Sequence, residues 1–297
     1  MLDVIIALVP ACIASVVFFG YRSAILIAVC IAGCVLSEYV SRKIMKREHT
    51  ISDLSAVVTG ILLALNLPVS LNPILALFGC IVAIVVVKQM FGGIGQNFVN
   101  PALTARIVLL NSFPAHMTNW TLPNFAYSFS GDAASAATDA MTTATPLAQY
   151  AADYAGTPDY MSLLFGNTMG CIGETCALAI LLGGIYLIVR GVISPVIPVC
   201  YLGSAALFSL LFCRDPLFDL LAGGLMLGAI FMATDYTTSP LYFKGRIVYA
   251  VGCGFLTIII REFGSLSEGV SYAIVIMNII VPLIERYIRP KAFGKGD

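Results

Sequence analysis

Charge is what this sequence has least of. Of 297 residues only 11% are Asp, Glu, Lys or Arg, while 59% are hydrophobic. A soluble globular domain carries about 25% charged residues, so this composition excludes one and points to a polytopic membrane protein. Neither sign dominates, with 16 basic and 16 acidic residues, so no basic patch invites nucleic acid. Histidine is nearly absent. His49 and His116 stand on either side of three apolar segments, which excludes a bis-His haem within the chain. None of the nine cysteines forms a C-x-x-C pair, and most lie in apolar runs. They read as small packing residues, with an iron–sulfur ligand contributed to a shared site as the lesser reading and no metal ligand set. The first apolar run has no basic segment ahead of it and no small-residue cleavage site after it, so it reads as a span, not a signal peptide.

What is present is a series of apolar runs. Segments near Val4–Gly20, Ser23–Tyr39, Leu54–Leu67, Pro73–Val87 and Asn100–Pro114 precede a long polar loop. Ile172–Val189, Val192–Phe212, Leu217–Ala233, Ile247–Ile260 and Val270–Ile284 follow it. Crossing a bilayer takes ~17–25 residues, so the count is about ten spans, two of them short. Arg42, Lys43, Lys46 and Arg47 follow the second, Lys88 the fourth, Arg190 the sixth, Lys244 and Arg246 the eighth, and Arg286, Arg289, Lys291 and Lys295 the tenth. The positive-inside rule then places both termini in the cytoplasm and the long loop outside. Arg22, Arg214 and Arg261 fall on the other side, and Arg106 lies within the fifth segment.

The order Asp53-Leu54, Asn72-Pro73, Phe91-Gly92 recurs as Asp219-Leu220, Ser239-Pro240, Phe263-Gly264. Spans three to five therefore match spans eight to ten. An odd number of spans per copy forces the copies into opposite orientations, as in many transport folds. The expectation is an all-α membrane protein of two inverted five-helix repeats. Residues 1–114 form the first repeat, 115–168 the extracytoplasmic loop, and 169–297 the second repeat with a short cytoplasmic tail.

Polar features are few. Gly92-Gly93-Ile94-Gly95-Gln96-Asn97 lacks the spacing and the preceding strand of a dinucleotide fingerprint. It reads as a tight turn, as irregular backbone lining a cavity at membrane depth, or both. Glu38, Asp53, Glu174, Asp219, Asp235, Glu262 and Glu285 mostly stand at predicted span ends and are expected to mark the hydrated interface. Asp235 and Asp53 are the better candidates for an ion pathway, since carboxylates held in membranes usually serve one. The loop from about Ala115 to Asn167 holds Asp132, Asp139, Asp153 and Asp159 and no Lys or Arg. Its Ser, Thr and Ala run from Ser128 to Thr145 has no base to activate a hydroxyl, so no catalytic residue is assigned.

Within that run, Asp139-x-x-Thr142-x-Ala144-Thr145 resembles the flavinylation motif of proteins modified by an FMN transferase. Phe91–Pro101, Asp235–Arg246 with its Thr-Ser-Pro, and Phe263–Pro290 with Asn278-Ile-Ile-Val-Pro282 add to the likeness. Across nearly its whole length the chain resembles the D subunits of Rnf complexes, which couple electron transfer between ferredoxin and NAD to ion movement. The B subunit of the sodium-pumping NADH:quinone reductase is similar in plan but typically longer at its N-terminus, with a different motif around the Thr. The Rnf relatives usually begin with a short polar segment, whereas Met1-Leu2-Asp3 leads straight into the first span here.

The resemblance implies FMN joined through a phosphoester to Thr145, with Asp139, Thr142 and Ala144 read by the transferase. It implies further partners in the other Rnf subunits, both membrane and flavin/iron–sulfur, within the inner membrane of a bacterial cell. A second, non-covalent flavin (riboflavin or FMN) is expected by analogy with the reductase. Two rival readings carry no flavin: a passive channel or transporter for a small solute, and a purely structural anchor for other subunits.

Overall fold

A computed structural model describes residues 1–48, 50–121, 123, 147, 150, 160–166, 168–174, 176–264 and 269–288. Every regular element among them is helical. In chain order these are α1 (Leu2–Phe19), α2 (Tyr21–Ile44), α3 (Ser55–Leu65), α4 (Pro73–Ile81, continued by a π-helical stretch Val82–Gln89), α5 (Pro101–Ser112) and α6 (Pro114–Met117). Within the loop lies α7 (Tyr160–Phe165), and after it come α8 (Ala177–Val189), α9 (Val196–Leu211), α10 (Pro216–Leu221) and α11 (Leu225–Leu227, continued by a π-helical stretch Gly228–Met232). The chain then forms α12 (Phe243–Phe263) and α13 (Val270–Tyr287).

Each of the ten apolar segments carries helix, yet among the described residues only α1, α2, α12 and α13 are long and apolar enough to cross a membrane unbroken. Local sequence explains the short ones. Asn72-Pro73, Asn100-Pro101 and Asp215-Pro216 each start a helix, the Asx side chain accepting from an N–H two residues on. Proline at the first helical position gives up no helix bond. α3 stops at Asn66-Leu67-Pro68, because proline cannot continue it. The predicted eighth span breaks at Ala222-Gly223-Gly224, where Gly223 has φ of 69°.

Small residues let the helices approach closely. A Cβ on Gly183 of α8 would lie 2.1 Å from the Ala7 carbonyl of α1, and one on Gly254 of α12 would lie 2.0 Å from Ser204 Oγ of α9. One buried apolar core runs through α1–α5, α8, α9 and α11–α13. Ile13, Leu36, Leu182 and Leu210 point outward from α1, α2, α8 and α9 and are more than half exposed. Such an apolar coat suits a lipid solvent. α5 and α13 run antiparallel, since Asn100 meets Asn278 and Arg106 meets Ser271.

Candidate functional site

Among the described residues three buried clusters of paired charges interrupt this apolar body. The first lies where α9 ends, α10 begins and α12 ends. Asp215 caps α10, which sets Asp219 one turn later against two arginines. Asp219 is 1% exposed and accepts from Arg214 Nε at 2.8 Å, Arg214 Nη2 at 3.0 Å and Ser209 Oγ at 2.7 Å. Arg261 Nη1 lies 3.4 Å from Asp219 Oδ1 and also donates to the Asp219 carbonyl, while its Nη2 donates to the Ala222 carbonyl at 2.9 Å. Glu262 closes the set at 2.8 Å from Arg214 Nη1. The polar loop reaches this cluster. Leu147 is buried with Leu163, Phe218 and Ala222, Tyr150 stacks on Phe218, and the Tyr160 hydroxyl donates to Asp215.

The second cluster stands where α3 stops. Ile172 N–H donates to the Leu67 carbonyl at 3.0 Å and Gly173 N–H to the Leu65 carbonyl at 2.7 Å, so residues 172–173 cap the broken helix. Arg106 of α5 supplies the charge there. It donates to Asn66 Oδ1 at 3.1 Å, Ser271 Oγ at 3.3 Å, Cys171 Sγ at 3.2 Å and Glu174 Oε1 at 3.4 Å. A cation at the carbonyl end of a helix is favoured by the helix dipole. Asn66 Nδ2 in turn lies 3.7 Å from Met232 Sδ, and Asn100 Nδ2 donates to the Met232 carbonyl at 3.3 Å. The ends of the two broken helical segments α3 and α11 therefore meet at one polar junction.

The third cluster joins the end of α2, the start of α3 and the end of the π-helical stretch after α4. Glu38, 1% exposed, accepts from Lys88 Nζ at 3.2 Å, Gln89 Nε2 at 2.9 Å and Thr50 Oγ1 at 3.0 Å. Lys88 also donates to Ser55 Oγ at 2.6 Å. Beside it opens a cavity, in part open to solvent, lined by Ser55, Thr59, Lys88, Asn97, Thr234 and Asp235 among apolar neighbours. Gly93, at φ 107°, belongs to the turn over its rim, where a Cβ would come 2.6 Å from Arg42 Nη2. Ile94, Asn97 and Asn100 line the cavity, so the glycine-rich stretch is both turn and cavity wall.

Asp235 thus faces the cavity, half-buried, with its carboxylate accepting from Thr237 Oγ1 at 3.1 Å. Asp53 is exposed at the end of the short helical turn Ile51–Asp53 and does not line it. Asp139, Thr142, Ala144 and Thr145 lie outside the described residues. The interface reading of the acidic residues is corrected for three of them. Glu38, Glu174 and Asp219 are buried ion-pair partners, because a span end packed against other helices is sheltered from water. Arg106, Arg214 and Arg261 carried the missed signal: a charge within a span or on the arginine-poor side needs a buried partner.

Broken helices that meet at a buried polar junction, beside a polar-lined cavity, define a polytopic membrane protein with irregular backbone kept inside the protein. The family model described as NQR2, RnfD, RnfE family matches residues 1–294, and the chain belongs to that family. It is 47% identical to the D subunit of the Na(+)-translocating ferredoxin:NAD(+) oxidoreductase complex of Acetobacterium woodii, over 99% of this chain and 90% of that protein. It is 38% identical to the D subunit of the proton-translocating ferredoxin:NAD(+) oxidoreductase complex of Clostridium ljungdahlii, over 99% and 91%. To the D subunit of the ion-translocating oxidoreductase complex of Stutzerimonas stutzeri it is 37% identical, over 100% and 92%.

Proposed function

We propose that this chain is a membrane flavoprotein subunit of an Rnf-type ferredoxin:NAD oxidoreductase. It passes electrons through FMN esterified to Thr145 and takes part in coupling that transfer to movement of H⁺ or Na⁺. The observation that carries the reading is identity of 47% along essentially the whole chain to the D subunit of such a complex. The motif Asp139-x-x-Thr142-x-Ala144-Thr145 supplies the attachment point, and an FMN transferase is the maturation partner. Flavin supplies the redox chemistry, and the protein supplies position, electrostatics and exclusion of water.

The ten helical segments form two inverted five-helix repeats in this reading, with both termini cytoplasmic and the 115–168 loop outside. In support, two three-helix junctions are built alike, around Glu38 and around Asp219. The cavity lined by Lys88 and Asp235 is then the cytoplasmic end of the ion path, with Asp235 as its carboxylate. Its apolar walls with Asn97, Thr59 and Lys88 would suit the ring of a second, non-covalent flavin. Asp53, exposed at a turn, keeps at most a role at the entrance. The remaining Rnf subunits are the electron-transfer partners.

The test is in-gel fluorescence of the chain co-expressed with its FMN transferase and denatured before electrophoresis. A band present in the wild type and lost in Thr145→Val, at unchanged membrane yield, is expected. A dark wild-type band beside a labelled control substrate would return the chain to the channel reading.

A further inference from the structure

Leu147 and Tyr150 anchor the loop just after the flavinylation motif. Leu147 is 4% exposed. The Tyr150 hydroxyl accepts from the Asp215 N–H at 3.0 Å, and the Arg214 guanidinium sits 5.0 Å from the Tyr150 ring centroid. A Cβ on Gly223 would meet Leu147 Cδ1 at 2.8 Å on one side and Arg261 Nη2 at 3.3 Å on the other. Leu147 and the two arginines therefore share one small region. Successive Cα atoms are ~3.8 Å apart, so the Cα of Thr145, two residues before Leu147, is tethered within about 7.6 Å of it. A tether that short puts Arg214 and Arg261 within reach of a group esterified to the Thr145 hydroxyl.

The charges there leave room for an anion. Arg214 and Arg261 face one fully buried carboxylate, Asp219. Their second counter-ion is Glu262, whose side chain is 35% exposed against 9% for Arg214. Three buried charges thus sum to a net positive one, balanced by a carboxylate at the rim. Arg261 also keeps a buried Nε with no hydrogen-bond partner. A flavin phosphodiester carries a single negative charge, and its paired oxygens match the fork of a guanidinium.

We infer that Arg214, backed by Arg261, seats the phosphoryl group of the Thr145-linked flavin, which takes the place that Glu262 holds here. This rests on the reading of Thr145 as the FMN attachment. Arg214 is a positioning residue: it fixes the tethered cofactor against the helices in place of a deep cleft. Tyr150, stacked on Phe218 at 4.6 Å, keeps the tether short.

The experiment uses the full chain in its complex, co-expressed with the transferase. Covalent loading is read on a denaturing gel, and the flavin's anisotropy and iodide quenching are read in the native state. Arg214→Gln should load fully, lose anisotropy and show a several-fold rise in iodide quenching. Removing a positive charge makes the site less attractive to iodide, so a rise cannot come from charge alone. Arg214→Lys should restore part of the anisotropy, and Glu262→Gln should match the wild type or hold the flavin more firmly. Should Arg214→Gln fail to fold, Arg214→Gln with Glu262→Gln leaves Asp219 paired with Arg261 and no carboxylate unmatched, and reads the same quantity. Loaded variants with unchanged anisotropy and quenching, or a looser flavin in Glu262→Gln, overturn the seat alone. A wild type without covalent flavin overturns the Thr145 reading and the seat with it.

Discussion

The Glu38 and Asp219 clusters are assembled from corresponding pieces, and between them acid and serine have changed places. Around Glu38 the acid ends α2, the serine (Ser55) starts α3, and the base (Lys88) ends the π-helical stretch after α4. Around Asp219 the serine (Ser209) ends α9, the acid sits in α10, and the base (Arg261) ends α12. What stays fixed is the meeting of three helices and a near-balanced charge, not the residue on any one helix. Burial demands this, because an unpaired charge away from water is far more costly than a paired one. The surroundings differ as well. One cluster borders the cavity that holds Asp235, while the other lies beneath Leu147 and Tyr150 of the loop.

The bases also differ, and the largest expected effect follows from that. Asp219→Asn leaves Arg214 and Arg261 without their shared carboxylate. Arginine keeps its proton in proteins, so the loss should be about 3–5 kcal/mol, the usual result of orphaning a buried charge. Glu38→Gln orphans Lys88, which can shed its proton and remain bonded to Ser55. The expected loss there is about 2 kcal/mol, because Lys88 can neutralise and Arg42, whose Nε lies 3.8 Å from Glu38, keeps its Nη1 bond to the Glu48 carbonyl. Thermal unfolding of both variants in detergent checks the ranking. Equal losses would mean that Lys88 stays charged and that the comparison fails on chemistry.

How much of this was legible beforehand depends on the residue. The helical segments followed from apolar runs, and their starts from Asn72-Pro73 and Asn100-Pro101, because those signals are local. Asp215-Pro216 carries the same signal one step before the predicted eighth span. The break at Gly223 was missed, since a glycine inside an apolar run is also a common packing residue. Glu38, Glu174 and Asp219 look like interface residues in one dimension. Only packing shows that helices shelter them, although Arg106, Arg214 and Arg261 stood in places that already demanded partners. Asp235 was picked for its position after an apolar run, and the cavity wall is where it lies. Asp53, picked beside it, lies at an exposed turn instead.

An exchange sharpens the comparison further. Glu38→Ser with Ser55→Glu rebuilds the first cluster on the plan of the second, acid on the broken helix and serine on its neighbour. If charge balance is the requirement, the double variant should fall within about 2 kcal/mol of the wild type, a loss from imperfect packing. Glu38→Ser alone should be the less stable of the two. Stability measured for the pair and for each single change gives the coupling directly, and additive losses would show that Glu38 has to be on α2.

The smallest effect separates the two serines. Ser55 Oγ is one of two side chains that receive Lys88 Nζ, the other being Glu38. Ser209 Oγ is one donor among several to Asp219, whose oxygens also receive Arg214 twice and Arg261 once. Deleting one of two partners leaves a buried charge half-satisfied, whereas deleting one of four leaves it well held. Ser55→Ala should therefore lose about 1 kcal/mol and Ser209→Ala about half of that, the first being a typical net hydrogen-bond contribution. Both serines are buried and the truncation removes the same single oxygen, so packing changes nearly cancel between them. A difference in unfolding temperature with Ser55→Ala the lower would confirm that partner count, not burial, sets the loss. The reverse order would show that Asp219 depends on Ser209 for its orientation, which its two arginines then could not supply.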